Sequence, residues 1–280
     1  MRMSSSCNLL RMLMLMCLSW FALSSAAQEP VLEIRDGQQV RQWTRSALLS
    51  EAIDIVVEKD SAYKKSMNYR AVAFAKLMPN VTKYSSVQFI ALDGFVATIS
   101  GQDLAGAGQA YLAIEPTEGA WPAVNPENSH KMASAGPFYL VWHNPKAGRI
   151  SNEQWPYQVA KISVTVPLHV QYPQLVPVST MLETSKPSLR GMQVFIKNCA
   201  VCHRMNGGGD ATIGPDLNLP FNPTEYFQEG FLRKLIRDPA SVRSWKQSSM
   251  PSFDLQTISQ QELDDLIQYL KQMAKQRKVK

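Results

Sequence analysis

The alternation of apolar and polar positions changes character near residue 187. Upstream, the runs Ala52 to Val57, Val87 to Ile99, Ala110 to Ile114, Phe138 to Trp142 and Tyr157 to Val166 predict strands. Between them Tyr69 to Met78, with apolar Val72, Phe74 and Leu77, predicts a short helix. From Pro187 to Lys197 the spacing turns helical, with Met192, Phe195 and Ile196 apolar and the proline in the first turn. A last helix is predicted over Ser259 to Met273, where Leu263, Leu266, Ile267 and Leu270 make an apolar stripe. Ser259 and Glu262 are spaced as a capping box at its start. The fold class is therefore α+β in two domains. Residues 28–175 form a strand-rich domain, 176–186 a linker bearing Pro and Ser, and 187–280 an all-α domain.

Composition narrows the class. With 280 residues, 45% hydrophobic and 19% charged, the chain is long enough for two cores and too apolar for disorder. Residues 1–27 read as a secretory leader: Arg2 and Arg11, an apolar run from Leu9 to Leu23, then Ser25-Ala26-Ala27 as a cleavage site. The uninterrupted stretch Met12 to Leu23 is shorter than the roughly 20 residues of a membrane span. Cys17 lacks the small residues expected ahead of a lipidated cysteine. The expectation is a periplasmic protein, cleaved near Ala27, with no membrane span afterwards. Removing Arg2 and Arg11 lowers the excess of positive charge from six to four. Cys7 and Cys17 leave with the leader, so Cys199 and Cys202 carry all remaining thiol chemistry.

Those two cysteines lie in Cys199-Ala200-Val201-Cys202-His203, the C-x-x-C-H attachment signal of a c-type haem. Two thiols three positions apart can add to the two vinyl groups of one porphyrin, and the adjacent imidazole can ligate its iron. A structural zinc site would need a second ligand pair, and none lies nearby at usable spacing. A redox C-x-x-C would need a thioredoxin-like βαβ context, which the flanks do not supply. The expected cofactor is one covalent haem c per chain. Downstream come Gly207-Gly208-Gly209, a flexible turn, and Ile213-Gly214-Pro215-Asp216-Leu217.

Over about Pro187 to Met273 the chain resembles a class I cytochrome c domain. The resemblance implies that the Pro215 carbonyl accepts from Nδ1 of His203, the proximal ligand. It also implies that Met250, in Ser249-Met250-Pro251, is the distal ligand. Met205 stands two residues from His203 and cannot reach the opposite haem face, and Met273 belongs to the terminal helix. Gly191, Phe195 and Tyr269 match the family's helix-crossing contact, and Arg237, Arg243 and Trp245 are candidates beside the propionates.

A second resemblance covers Asn68 to Val166. Val87 to Phe95 (with Asp93-Gly94), Ala110 to Ala113, Gly136-Pro137-Phe138-Tyr139-Leu140-Val141 and Trp155 to Val166 are similar, in order, to the molybdopterin-binding domain of the sulfite oxidase superfamily. In active members a cysteine ligates molybdenum, and this domain has no cysteine. Tyr139 and Gln154 occupy the positions of that family's usual arginine and lysine. Molybdopterin is therefore not expected, and His130, His143 and His169 are read as structural or surface residues.

Charge adds little. Residues 28–186, strand-rich part and linker together, have 14 basic and 14 acidic residues, the part from Pro187 has 13 and 9, and nucleic acid does not suit an exported haem protein. Lys271, Lys275, Arg277, Lys278 and Lys280 form a basic end, read as solvated. Six-coordinate His/Met iron leaves no position for a substrate, which points to an electron carrier exchanging with a redox partner protein. No catalytic residue is assigned, and the strand-rich domain is read as a docking module. Two other readings remain. In one the first domain oxidises a small substrate and reduces its own haem, and in the other the haem is a redox sensor.

Overall fold

A computed structural model of the chain describes residues 29–124, 133–178, 182–243 and 250–277. The leader, His130, Trp245, Ser249, Lys278 and Lys280 lie outside the described residues. The strands and helices, in chain order, are β1 Val31–Asp36, β2 Gln39–Thr44, α1 Arg45–Ser50, β3 Ile53–Val57, β4 Met67–Ala73, α2 Phe74–Leu77, β5 Val87–Ala91, β6 Val96–Ile99, α3 Gly101–Ala105, β7 Ala110–Ile114, β8 Phe138–Trp142 and β9 Val159–Val164. Helices follow: α4 Leu168–Gln171, α5 Leu182–Asn198, α6 Pro223–Tyr226, α7 Glu229–Arg237, α8 Pro239–Val242 and α9 Gln260–Lys275. The chain is thus mixed α/β, strand-rich first and helical afterwards. No described helix is long and apolar enough to cross a membrane.

The strands form a five-stranded sheet in the order β2-β1-β9-β5-β6 and a four-stranded sheet in the order β3-β4-β7-β8. All pairings are antiparallel except β1 with β9. Both sheets share one core. Leu32, Ile34, Phe89, Ala97 and Ile162 from the first meet Tyr69, Ala71, Leu112 and Phe138 to Trp142 from the second. β8 is buried at every position, so its sequence shows an unbroken apolar run instead of alternation. A buried carboxylate, Asp60, anchors the end of this core. It accepts from the backbone N–H of Ala62 and Tyr63, both at 2.8 Å, and from the Tyr69 and Tyr139 hydroxyls at 2.8 and 3.3 Å.

The structure corrects three local expectations. Tyr69 to Ala73 is strand, with helix only at Phe74–Leu77. Tyr69 and Ala71 point into the core while Asn68 and Arg70 stay exposed, a period of two that the apolar count across Tyr69 to Met78 had masked. The hairpin β1–β2 is additional to the predicted strands; its two-residue loop is Gly37-Gln38, with Gly37 at φ +60°. Pro187 lies inside α5, which starts five residues earlier than expected. Ahead of α5, Leu168 and Leu175 already pack in the helical core, and Leu175 O accepts from the Tyr269 hydroxyl at 2.8 Å.

That second core sits between α5 and α9. Leu263, Leu266, Ile267 and Leu270 line α9 on the buried side, and the Ser259–Glu262 capping box closes its first turn. The two helices cross at Gly191, where a Cβ would lie 2.0 Å from Asp265 O and 2.7 Å from Tyr269 Cβ. Phe195 and Tyr269 pack beside the crossing, their rings tilted by 44° with centroids 5.6 Å apart. Arg190 pairs with the buried Asp265 through two bonds of 2.6 and 2.9 Å.

Gly191→Ala is therefore expected to destabilise the holoprotein by about 1–3 kcal/mol, because helix backbones must separate. Gly230→Ala, where a Cβ meets nothing within 4 Å, is expected to be neutral or stabilising by up to about 1 kcal/mol. Denaturant unfolding of both variants checks this, and equal stability would contradict the close crossing.

Candidate functional site

The last turn of α5 runs directly into the two cysteines. Cys199 N and Ala200 N both donate to Phe195 O, at 2.8 and 2.9 Å. Cys202 N and His203 N then return to Cys199 O, at 3.0 and 2.8 Å. This tight double turn puts two half-buried thiols, not joined in a disulfide, and one imidazole within five residues. Cys199 borders the helical core and Cys202 borders the strand-rich one. Burial pushes the Cys199 thiol up to about 12, helped by the charges of Glu153 and Cys202. Glu153, on the turn 152–154 of the strand-rich half, is itself pushed up to about 7 by burial, with Lys64 opposing.

His203 is held from behind. Its Nδ1 lies 2.8 Å from Pro215 O. A carbonyl can only accept, so Nδ1 carries the proton and Nε2 keeps its lone pair for a metal. Burial lowers the His203 pKa against the Pro215 bond and the charge of Asp216, which keeps the ring neutral. Gly214 makes the seat: a Cβ there would fall 2.6 Å from the ring Cε1 and 2.7 Å from Nδ1. Gly214 N also donates to Cys202 O at 2.7 Å, tying the loop to the attachment turn.

A polar scaffold that motif reading did not single out fixes this loop. The Asp216 carboxylate accepts from the N–H of Asn206, Gly207, Asn218 and Leu219 at 3.1, 2.6, 2.8 and 3.0 Å. Asn206 and Gly207 adopt φ of +55° and +75° to meet it. The fully buried Asn218 donates to Asn206 Oδ1 and Met273 O, and buried Asn222 donates to Asn218 Oδ1 and Leu270 O. Two asparagines thus connect the haem-side loop to carbonyls near the end of α9. Both sit in a turn-rich stretch, Leu217-Asn218-Leu219-Pro220-Phe221-Asn222-Pro223, whose local signal says loop and nothing about partners 48 and 55 residues away.

Met250 is half-buried at the edge of the helical core, which Cys199 and Leu217 also border. Met205 and Met273 are both wholly inside it. The Met-Pro loop is fastened downstream, where Phe253 is buried and its N–H donates to Ile236 O at 3.3 Å. Arg237 is spent on the same loop. Its guanidinium donates to the carbonyls of Phe253, Asp254 and Ile258 at 3.0, 3.0 and 2.5 Å, and to Ser259 O at 3.3 Å. Arg243 lies exposed after α8.

In the strand-rich half, Tyr139 is wholly buried on the Asp60 carboxylate. Gln154 is buried, accepting from Ser151 N at 3.0 Å and donating to Asp103 at 3.3 Å. Neither side chain is a cation. Asp93 turns the β5–β6 hairpin, accepting from Phe95 N at 3.0 Å, with Gly94 at φ +86°. His143 is exposed after β8 and His169 half-buried on α4. Among the described residues no three His, Cys, Asp or Glu side chains are grouped to hold a bare metal ion.

The family model for cytochrome c matches residues 188–274. No curated protein matches the chain. The chain therefore carries a cytochrome c domain in its C-terminal third, which implies haem c and a haem electron-transfer role. The pair of thiols outside any disulfide, the neutral imidazole with Nε2 available and the glycine seat against its ring fit that cofactor.

Glu153 gives this site a pH signature. Its folded-state pKa is raised from the ordinary 4.5 to about 7, so its contribution to stability is full below 4.5 and lost as pH rises through 7. Glu153→Gln should flatten the fall in unfolding free energy between pH 4.5 and 7. Parallel wild-type and variant curves across that window would contradict it.

Proposed function

We propose that this chain is an exported c-type cytochrome carrying one haem on Cys199 and Cys202, with His203 and Met250 as the axial ligands. It passes single electrons to or from a redox protein. The observation that carries this reading is the 2.8 Å contact of His203 Nδ1 with Pro215 O beside the paired thiols. Haem bound there supplies a one-electron couple whose His/Met ligation favours a raised potential. The chain's own part is positional. Pro215 and Gly214 hold the imidazole neutral and oriented, the Asp216 carboxylate keeps that loop from opening, and Arg237 and Phe253 present the Met250 thioether. Two protein ligands leave no open position, so substrate chemistry at the iron is disfavoured.

We infer periplasmic location from the leader-like segment 1–27 together with the thioether attachment motif. The strand-rich half is read as a docking module on a sulfite-oxidase-like fold without molybdopterin. Supporting that, Tyr139 and Gln154 are bound inside the protein where cationic cofactor ligands would stand. The same burial counts against the alternative in which this half oxidises a small substrate.

Met250→Ala is the direct test. Covalent haem should remain, exogenous imidazole should bind the ferric protein, and the potential should fall by a sizeable share of the ~0.8 V that axial ligands span. An unchanged potential with no imidazole binding would remove Met250 from the iron.

A further inference from the structure

The attachment turn is held by both halves of the chain. Val201, between the two cysteines, is 5% exposed and belongs to the core of the strand-rich half, and Cys202 packs against the same core. Val96 and Thr98 of β6 line one crevice with Ile196, Ala200 and Val201. Polar bonds surround this apolar contact. Lys197 Nζ donates to Arg149 O at 3.0 Å, and Gln88 Nε2 donates to the Asp210 carboxylate at 2.9 Å. Arg149 Nη2 reaches both Glu262 oxygens, at 3.0 and 2.8 Å, tying the loop before β9 to the first turn of α9. Seating of this kind is unnecessary for a flexibly tethered carrier, which would need only a linker.

Granting that Cys199 and Cys202 carry the haem, we propose that the β6 edge of the five-stranded sheet is a built-in cap over the Cys202 side of that group. Apolar contact through Val201 excludes water from the Cys202 thioether. Lower local polarity disfavours the more highly charged oxidised state, so the cap holds the potential up. It also closes that side to any outside protein. A redox partner exchanging electrons directly with the haem must therefore approach on a side away from β6. The strand-rich half thus decides which face of the haem is offered.

The test uses the full-length holoprotein with Thr98→Arg, which forces a guanidinium into the crevice without touching the attachment motif. With covalent haem retained, amide hydrogen exchange over 199–203 should rise about tenfold as the turn opens locally. Reduction by ascorbate should quicken as the turn opens, and the potential should move away from the wild-type value. Covalent haem with wild-type exchange, rate and potential would overturn the cap and leave the haem reading standing. Absence of covalent haem in the wild-type protein would overturn both.

A charge-swap pair decides the matter if Thr98→Arg does not fold. Arg149→Glu should raise exchange roughly two- to fivefold, in keeping with an exposed ion pair. Adding Glu262→Arg should recover only part of that increase, because Glu262 also accepts from Ser259 N at the start of α9. Identical exchange in the wild type and both variants would overturn the cap.

Discussion

The hydrogen bond from His203 Nδ1 to the Pro215 carbonyl organises the C-terminal half. Because the acceptor is a carbonyl, it determines which ring nitrogen keeps its proton, and so which one is left to bind a metal. Keeping Pro215 in place requires the loop to press against the imidazole, which is why position 214 has no room for a side chain. Keeping the loop there requires its own backbone donors to be satisfied, and the Asp216 carboxylate gathers four of them. Asn218 and Asn222 then transmit that order to α9, whose position is set by the crossing at Gly191. A local ligand geometry thus depends on packing some seventy residues along the chain.

Much of this site is local in sequence and was legible there. C-x-x-C-H and Gly-Pro-x-Leu each compress a geometric need into a few adjacent residues, and the structure shows their turn and their His203–Pro215 contact. The capping box at Ser259 and Glu262 does the same for the start of α9, and the structure contains it. The Asn218–Asn222 bridge could not be read, because an asparagine in a turn looks the same whether its amide meets water or a helix carbonyl. Arg237 is a related case: its charge alone does not reveal that its guanidinium holds the carbonyls behind Met250.

In the strand-rich half, β7 and β8 coincide with their predicted runs, because both are buried enough to read as plain apolar segments. β4 did not, since its apolar residues continue without a break into α2 and blur two periods into one. Val201 shows the same limit at domain scale. It sits inside the haem motif, yet its packing partners lie in the other half of the chain. No spacing rule inside a pentapeptide carries that information.

The account rests most heavily on one covalent claim. The most direct measurement is mass spectrometry of the proteolytic peptide spanning Asn198 to Arg204, taken from holoprotein matured in a host able to attach haem, with iron counted on the same sample. The account predicts a single haem mass on that peptide, both thiols consumed, and one iron per chain. Two free thiols, or a disulfide between Cys199 and Cys202 with no iron, would contradict it.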